Sequence, residues 1–469
     1  CFNINSIFIS ELLNLYVKFR TDKDSLGSVK IPYDALYGPF TGRAIMQYNA
    51  TGQRSHENLI RSFVMIKRSA AVANMKTKSI SKKQGSAIIK ACDTILSGKY
   101  HDQFLVDMIN SGAGTAFNMN TNEVITNVAL RELGKKQGQY QFLHPNDHVN
   151  MSQSSNDTYP TAMHMSILFS LKELIPTIDG LIRSLDKKAK QFSKYKKLGR
   201  THLMDALPVT LGSEFSAYVT SLTNARSRIA SSQTELFQVA LGGTAVGTGA
   251  NTPRGYRKNV IMELSRVSKL PLKPQKDMQY ALQSKFPVAN TSSSLKNFAI
   301  ELGKISNDIR LMASGPIAGL GELGIPAVHA GSSIMPGKVN PSLAECMNMI
   351  CFSVIGNDTT VSFSANAGQF ELNVMLPGML KAVLDSTDML TNFLPIFSSN
   401  LIDGLSANQL KLRENIENSP VIVTLLTPKI GYQKSAELFK ESLKTGKTIR
   451  ELVVSKKLLT NKEVNSLLS

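Results

Sequence analysis

The sequence lacks several features that define large classes of protein. Its 469 residues contain no tryptophan and only four cysteines, without C-x-x-C spacing: Cys1, Cys92, Cys346 and Cys351. So few cysteines in so long a chain argue against a disulfide framework or a zinc site and favour a reducing compartment. No apolar run reaches the roughly eighteen residues that a membrane span requires. We therefore expect a cytoplasmic protein with no metal site and no membrane partner.

Acidic residues are in deficit. The chain has 53 Lys and Arg against 35 Asp and Glu, a formal net charge of +18. Such a charge suits nucleic acid, and it also attracts small dianions. Because the basic residues are scattered and no known nucleic-acid module occurs, we expect no nucleic-acid partner. Charged residues make up only 19% of the chain, which fits a globular protein with much surface hidden, in part between subunits.

Apolar residues at helical spacing dominate the middle of the chain. From Ile167 to Leu185, and again from Leu295 to Met312, they recur at steps of three and four, which places them on one helix face. Alternating β patterns are sparse and lie mainly in about the first forty residues. Long helices with short links predict a mostly α fold built on a helical bundle. We expect residues 1–18 to be an upstream extension or a fragment boundary and exclude them from the functional interpretation.

One loop carries the strongest chemical signal. Residues 331–341 have the sequence GSSIMPGKVNP. Two adjacent hydroxyls are followed by a lysine and an asparagine, so the loop offers a proton acceptor beside a cation and an amide donor. Such a group can take a proton from carbon while the cation and the amide hold the negative charge that develops. For the GSS triplet alone, a surface loop with a solvated lysine is the alternative.

Six motifs in the same order resemble those of the fumarase/aspartase superfamily, from about Phe19 to the C-terminus. They are residues 144–150 (HPNDHVN), 152–164 (SQSSNDTYPTAMH), 199–202 (GRTH), 242–249 (GGTAVGTG), 331–341, and 369–374 (QFELNV). The resemblance implies a mostly α, three-domain subunit whose long central bundle forms a homotetramer, with each active site shared by three subunits. We expect domains at 1–151, 152–410 and 411–469. The implied substrate is a small dicarboxylate, and the implied chemistry needs no cofactor and no metal.

The resemblance also assigns catalytic residues. Ser332 matches the family's catalytic base, and Lys338 and Asn340 are placed to hold the charge of the carbanion. Because a serine hydroxyl is a poor base, the loop has to stabilise its alkoxide. Glu345 matches the carboxylate that pairs with His202 and orients its ring. This pair either handles the proton of the leaving group or orients the substrate.

A second set of residues matches the family's substrate contacts. Ser154, Ser155 and Asn156 resemble its carboxylate site, near a predicted helix start where backbone N–H groups favour an anion. Taken alone, this triplet is typical of a helix N-cap. Thr115 and Thr201 match two further threonines at the substrate.

A peripheral dicarboxylate site is also predicted. His144, Asn146 and Asp147 match the second site of class II fumarases, although Gln141 stands where that site has an arginine.

Fumarases and aspartases share these catalytic and substrate-contact residues and differ in the leaving group. Residues 154–158 (SSNDT) and 160–164 (PTAMH) look fumarase-like, since aspartases typically have threonine in place of Ser155. Ala113, residues 118–122 (NMNTN) and residues 354–358 (VIGND) favour an aspartase. Giving more weight to substrate contacts, we predict a class II fumarate hydratase, which adds water to fumarate reversibly to give (S)-malate. Aspartate ammonia-lyase is the alternative. A catalytically silent structural homologue is a third hypothesis, and the joint presence of the predicted catalytic residues argues against it.

Overall fold

The computed structural model of the chain describes residues 18–328, 331 and 334–468. These residues form two compact units. The first unit extends to residue 173 and includes 229–296 and 354–388. The second unit comprises 174–228, 297–353 and the chain from 389 onward. The three domains expected from the sequence stay a prediction.

Helices dominate the described chain, which confirms the predicted mostly α fold. They are α1 Pro39–Gln47, α2 Glu57–Lys76, α3 Lys82–Leu96, α4 Thr115–Glu132, α5 Ser155–Gln191, α6 Leu211–Leu236, α7 Tyr256–Ser268, α8 Met278–Gln283, α9 Phe286–Met312, α10 Ser342–Asn366, α11 Leu376–Phe397, α12 Gln409–Asn418, α13 Thr427–Ile430, α14 Tyr432–Thr445, α15 Ile449–Ser455 and α16 Asn461–Leu468. Short 3-10 or π turns occupy His101–Gln103, Gly112–Gly114, Pro145–Val149, Ser398–Ile402 and Pro420–Leu426.

The two helices predicted from apolar periodicity are confirmed. The first pattern lies within α5 and the second within α9. The side chains that define each pattern are buried, as a helix face packed on a core requires: Leu171, Leu174, Ile178, Leu181, Leu185, Leu295, Phe298, Leu302, Ile305, Ile309 and Met312. Among the helices of the described residues, none has both the length and the apolar character needed to cross a bilayer.

The strands form four two-stranded pairs within the described residues. The pairs are β1 Phe19–Asp24 with β2 Gly27–Pro32, β3 Lys196–Thr201 with β4 Met204–Thr210, β5 Gln238–Val239 with β6 Lys273–Pro274, and β7 Leu323–Gly324 with β8 Ser406–Ala407. The β5–β6 pair is parallel and the others are antiparallel. The β3–β4 hairpin was not predicted, because its buried positions include Lys197 and Gly199, which interrupt the apolar alternation expected of a strand.

Candidate active site

Thr115 begins α4 directly after the tight turn at Gly112–Gly114. Gly114 adopts a left-handed φ of 64°, and a Cβ atom placed on it would lie 1.8 Å from the ring of Tyr159. Both the conformation and the space therefore require glycine there. The turn brings the Thr115 hydroxyl to 3.1 Å from Oγ of Ser155. Two residues predicted to bind substrate thus lie side by side in the first unit.

The Ser154–Asn156 triplet lies at the start of α5. The backbone N–H of Asn156 donates to Oγ of Ser154 at 3.2 Å, so the N-cap suggested by the sequence is present. Nδ2 of Asn156 donates to the carbonyl of Ala245 at 2.9 Å, which ties the helix start to the glycine-rich segment 241–251. The triplet is half-buried. The helix dipole at such a helix start favours a bound anion.

Asp157, the next residue, forms a buried clamp that was not predicted from the sequence. Its carboxylate accepts the backbone N–H groups of Ser154 at 3.0 Å, Gly242 at 3.0 Å and Thr244 at 2.9 Å. Burial raises the pKa of Asp157 to about 6, against these hydrogen bonds and the Lys67 charge, which lower it. The clamp holds the Ser154 helix start against the glycine-rich segment. The sequence signal was the acid three residues after a capping serine.

We expect Asp157→Asn to raise the KM of the substrate about tenfold while kcat falls less. The amide NH2 would face a backbone N–H, and an unmet buried donor costs about 1–3 kcal/mol. Steady-state kinetics measure the effect. Asp186→Asn, at a half-exposed position of the same helix, is the matched control and should leave KM unchanged. An unchanged KM in the Asp157 variant would contradict the clamp.

A buried lysine lies close enough to Asp157 to interact with its charge. Nζ of Lys67, on α2, donates to Oδ1 of Asn118 at 2.7 Å and to Oδ1 of Asn150 at 2.9 Å. Burial lowers the pKa of Lys67 to about 7, although the charge of Asp157 opposes this effect. Lys67 was not predicted from the sequence. Its one sequence signal is that a lysine interrupts an otherwise apolar helix face.

In the second unit, Thr201 and His202 lie at the tip of the β3–β4 hairpin. Thr201 pairs with Met204 across the strands. His202 and Leu203 form the connecting turn with φ of 55° and 60°, the left-handed pair typical of a two-residue hairpin turn. Both Thr201 and His202 are exposed. The hairpin tip thus presents Thr201 and His202 to solvent, whereas Gly199 of the same motif is buried.

Buried ion pairs anchor this hairpin. Nζ of Lys197 lies 2.9 Å from carboxylate oxygens of Glu214 and of Glu322. Arg200 donates to both oxygens of Glu322, at 3.1 and 2.6 Å. Burial opposes ionisation of Glu322, but hydrogen bonds and charges of Arg200 and Lys197 hold its pKa below the usual value. The network fixes the strand that carries Thr201.

We expect Glu322→Gln to lower the free energy of unfolding by about 3–5 kcal/mol, because it leaves Lys197 buried with weakened compensation. Because the pKa of Glu322 is lower in the folded chain, its stabilisation is present above the unfolded glutamate pKa of about 4.3 and is lost as pH falls further. Urea unfolding of both proteins across pH measures this. Their stability difference should shrink below that pH; a difference independent of pH would contradict the assignment.

The base predicted at Ser332 lies outside the described residues, but most of its loop is described. Nδ2 of Asn340 donates to the carbonyl of Gly331 at 2.6 Å. A Cβ on Gly331 would lie 1.9 Å from the carbonyl of Lys338, so glycine is needed for this approach. The hydrogen bond closes a loop from residue 331 to residue 340. Lys338 is exposed on that loop.

Glu345 lies in the first turn of α10. Its Oε1 is 3.9 Å from Nη2 of Arg310. No hydrogen bond or ion pair of the described residues joins His202 to Glu345. Within one chain, Arg310 is therefore the cation beside Glu345, and the pairing with His202 stays a prediction.

The predicted peripheral site forms one turn at Pro145–Val149. The N–H groups of Asn146 and Asp147 donate to Nδ1 of His144 at 3.2 and 3.3 Å, so the imidazole caps this turn. Asp147 is exposed, as is Gln141. The three predicted residues are adjacent, and their binding of a dicarboxylate stays a prediction. Over the described ranges, no cluster of three His, Cys, Asp or Glu residues could hold a metal ion.

Comparisons with known proteins agree with this fold. A family model described as Lyase matches residues 27–356, and one described as Fumarase C C-terminus matches residues 422–469. Aspartate ammonia-lyase of Bacillus subtilis (strain 168) is 43% identical over 458 residues, 98% of this chain and 96% of the relative. The structure of fumarate lyase:delta crystallin from Brucella melitensis bound to cobalt is 40% identical with a TM-score of 0.93. Recombinant class II fumarase from Schistosoma mansoni is 35% identical with a TM-score of 0.92.

Both solved structures match 96% of this chain and 98% of their own chains. The chain belongs to the fumarase/aspartase superfamily and is a lyase.

The prediction of a fumarate hydratase was wrong. Relatives from Bacillus, Escherichia, Corynebacterium and Pseudomonas that are 40–44% identical over 96–98% of this chain are aspartate ammonia-lyases. The error came from weighting Ser155, whose hydroxyl makes the same kind of hydrogen bond as a threonine. A single methyl discriminates by only about 1–3 kcal/mol. Residues 118–122 and 354–358, which favoured an aspartase, agree with the names of these relatives.

Proposed function

We propose that this lyase is an aspartate ammonia-lyase, which converts L-aspartate reversibly to fumarate and ammonia. The observation that carries the proposal is the 40–44% identity, over nearly the whole chain, to relatives of that name. The residues of the six motifs supply the chemistry that the reaction requires.

In the proposed reaction, Ser332 acts as an alkoxide and takes a proton from the carbon next to one carboxylate. The electrons of the C–H bond move into that carboxylate and give a doubly charged aci-form. Lys338 and Asn340 stabilise this charge, which is larger than that of the bound substrate. The carbon–nitrogen bond then breaks, its electron pair leaves with nitrogen, and the new carbon–carbon double bond completes fumarate.

Four residues of the first unit are assigned to substrate binding. Thr115, Ser154, Ser155 and Asn156 offer hydroxyl and amide groups beside the start of α5, where the helix dipole also favours a carboxylate. A dicarboxylate loses water when it binds, so it needs several fixed donors in compensation. The 3.1 Å contact between Thr115 and Ser155 supports this grouping.

The leaving group sets the role of the hairpin tip. An ammonium substituent already carries its protons and departs as neutral ammonia, whereas a hydroxyl departs as hydroxide unless an acid protonates it. An ammonia-lyase therefore needs no general acid at this step. We assign Thr201 and His202 to holding the substrate, with Glu345 orienting His202 in the assembled enzyme.

We expect His202→Asn to raise the KM of aspartate while kcat falls less than about tenfold, since loss of a general acid would cost about 10²–10⁴. Initial rates of fumarate formation measure both constants. Leu203→Ala, at the neighbouring exposed turn position, is the control. A fall of kcat by a hundredfold or more would contradict the assignment of His202 to holding the substrate.

The reaction itself is tested with purified protein and two substrates. L-aspartate should give fumarate, followed by its ultraviolet absorbance, and fumarate should be consumed only when ammonium is present. Product analysis should identify aspartate. Malate formed from fumarate without ammonium would overturn the proposal.

We also propose a homotetramer with active sites shared by three subunits. Large apolar side chains are exposed on the long helices of the second unit, among them Ile300 and Leu311 on α9 and Met349 and Phe352 on α10, each 44–62% accessible. Exposed apolar patches of this kind mark protein interfaces. Light scattering should give four times the chain mass of 51.3 kDa. A fully active monomer would contradict shared sites.

A further inference from the structure

A cavity of about 650 Å³ opens in the second unit, near the end of β3 opposite the Thr201–His202 tip. The segment before β3, the helix α12 and the C-terminal helices α15 and α16 contribute to its walls. Its lining includes Lys194, Tyr195, Lys196, Leu410, Arg413 and Arg450. None of them belongs to the predicted catalytic set.

The lining has an excess of positive charge. Among the described residues that line it, the one carboxylate is that of Glu417, to which Nε and Nη2 of Arg450 each donate at 3.2 Å. Lys194, Lys196 and Arg413 are exposed, and over the described ranges no carboxylate forms an ion pair with any of them. Three cations that share one cavity repel each other, and an anion bound between them relieves that repulsion.

Apolar side chains also contribute to the lining, beside the polar Gln409 and Asn465. Leu410 is 68% exposed, and Tyr195, Leu412 and Ile416 also line the cavity. An exposed leucine beside an aromatic ring favours a ligand with an apolar body. The volume lies in the range of about 300–1,000 Å³ typical of sites for drug-sized molecules, far above the need of a four-carbon diacid.

We propose that this cavity is a second ligand site, which binds a phosphorylated molecule with a planar apolar ring, of the class of nucleoside polyphosphates. The phosphates contact Lys194, Lys196 and Arg413, and the ring lies against Tyr195 and Leu410. Lys196 and Thr201 are five residues apart along an extended strand, about 17 Å. The site is therefore separate from the hairpin tip and does not depend on the identity of the leaving group.

The test is calorimetric titration of the whole protein with ATP, tripolyphosphate and adenosine. ATP should bind with a micromolar dissociation constant, and tripolyphosphate and adenosine each at least about tenfold more weakly, because each keeps only part of the contacts. Saturating fumarate should not displace ATP. Failure of ATP to bind, equal binding of tripolyphosphate, or displacement by fumarate would each overturn the proposal.

Three variants locate the site. The double variant Lys196→Ala/Arg413→Ala should weaken ATP binding at least about tenfold, since each charge-assisted hydrogen bond is worth more than a neutral one. Lys434→Ala/Lys440→Ala makes the same change of net charge on the exposed face of α14 and should bind ATP like the unmodified protein. Leu410→Ser should weaken ATP binding and leave tripolyphosphate binding unchanged. Equal losses in both double variants would overturn the site, and unfolding temperatures check that each variant is folded.

Discussion

Ser332→Ala is expected to lower kcat for aspartate deamination by about 10²–10⁴, the usual contribution of a positioned general base. The substitution removes only the oxygen that we propose takes the proton from carbon. The KM of aspartate should change little, because the carboxylate contacts belong to other residues. Fumarate absorbance measures the rate, and light scattering checks that the variant still assembles.

The neighbouring hydroxyl provides a matched control for this experiment. Ser333→Ala removes the same atom from the next residue of the same loop, so it tests whether any loss of a serine hydroxyl harms the loop. It should keep most of the activity. Similar losses in both variants would assign the effect to the loop as a whole, and near-normal activity of the Ser332 variant would remove it from the base role.

Lys338→Met is expected to lower kcat by about 10²–10³, the typical cost of removing one group that stabilises charge in the transition state. Methionine keeps an unbranched side chain and removes the ammonium group. Since the aci-carboxylate carries more charge than the bound substrate, the loss should fall on kcat more than on KM. Lys338→Arg, which keeps a cation, should recover part of the rate.

Lys434→Met, on the exposed face of α14, controls for the loss of one positive charge from a strongly basic protein and should not change the rate. A Lys338→Met enzyme with normal kcat and raised KM would contradict the role in charge stabilisation. It would assign Lys338 to binding of the ground-state substrate.

Local patterns predicted the parts of this protein that depend on neighbours in sequence. The apolar periodicity of α5 and α9 and the N-cap at Ser154 were visible because helices are built from contacts between residues three and four apart. The prediction that groups Lys338 and Asn340 with Ser332 likewise rests on a single short loop. The superfamily was identified from motif order, which needs no knowledge of packing.

Similar motifs did not settle the leaving group. The substrate-contact residues of the two enzyme classes share their hydrogen-bonding groups. Ser155 therefore does not distinguish water from ammonia as the leaving group. Similarity over nearly the whole chain favoured the ammonia-lyases. A choice between two chemistries on one scaffold rests on many small differences rather than on one side chain.

The sequence by itself determined a mostly α lyase of this superfamily, and it predicted a set of residues for the chemistry. Only the tertiary structure showed the Asp157 clamp, buried Lys67 and the ion pairs that anchor the β3–β4 hairpin. These groups join residues 85 and 122 positions apart, as in Asp157 with Gly242 and Arg200 with Glu322. A buried charge is stable only where folding supplies its partners, and no local pattern records which distant residue that partner is.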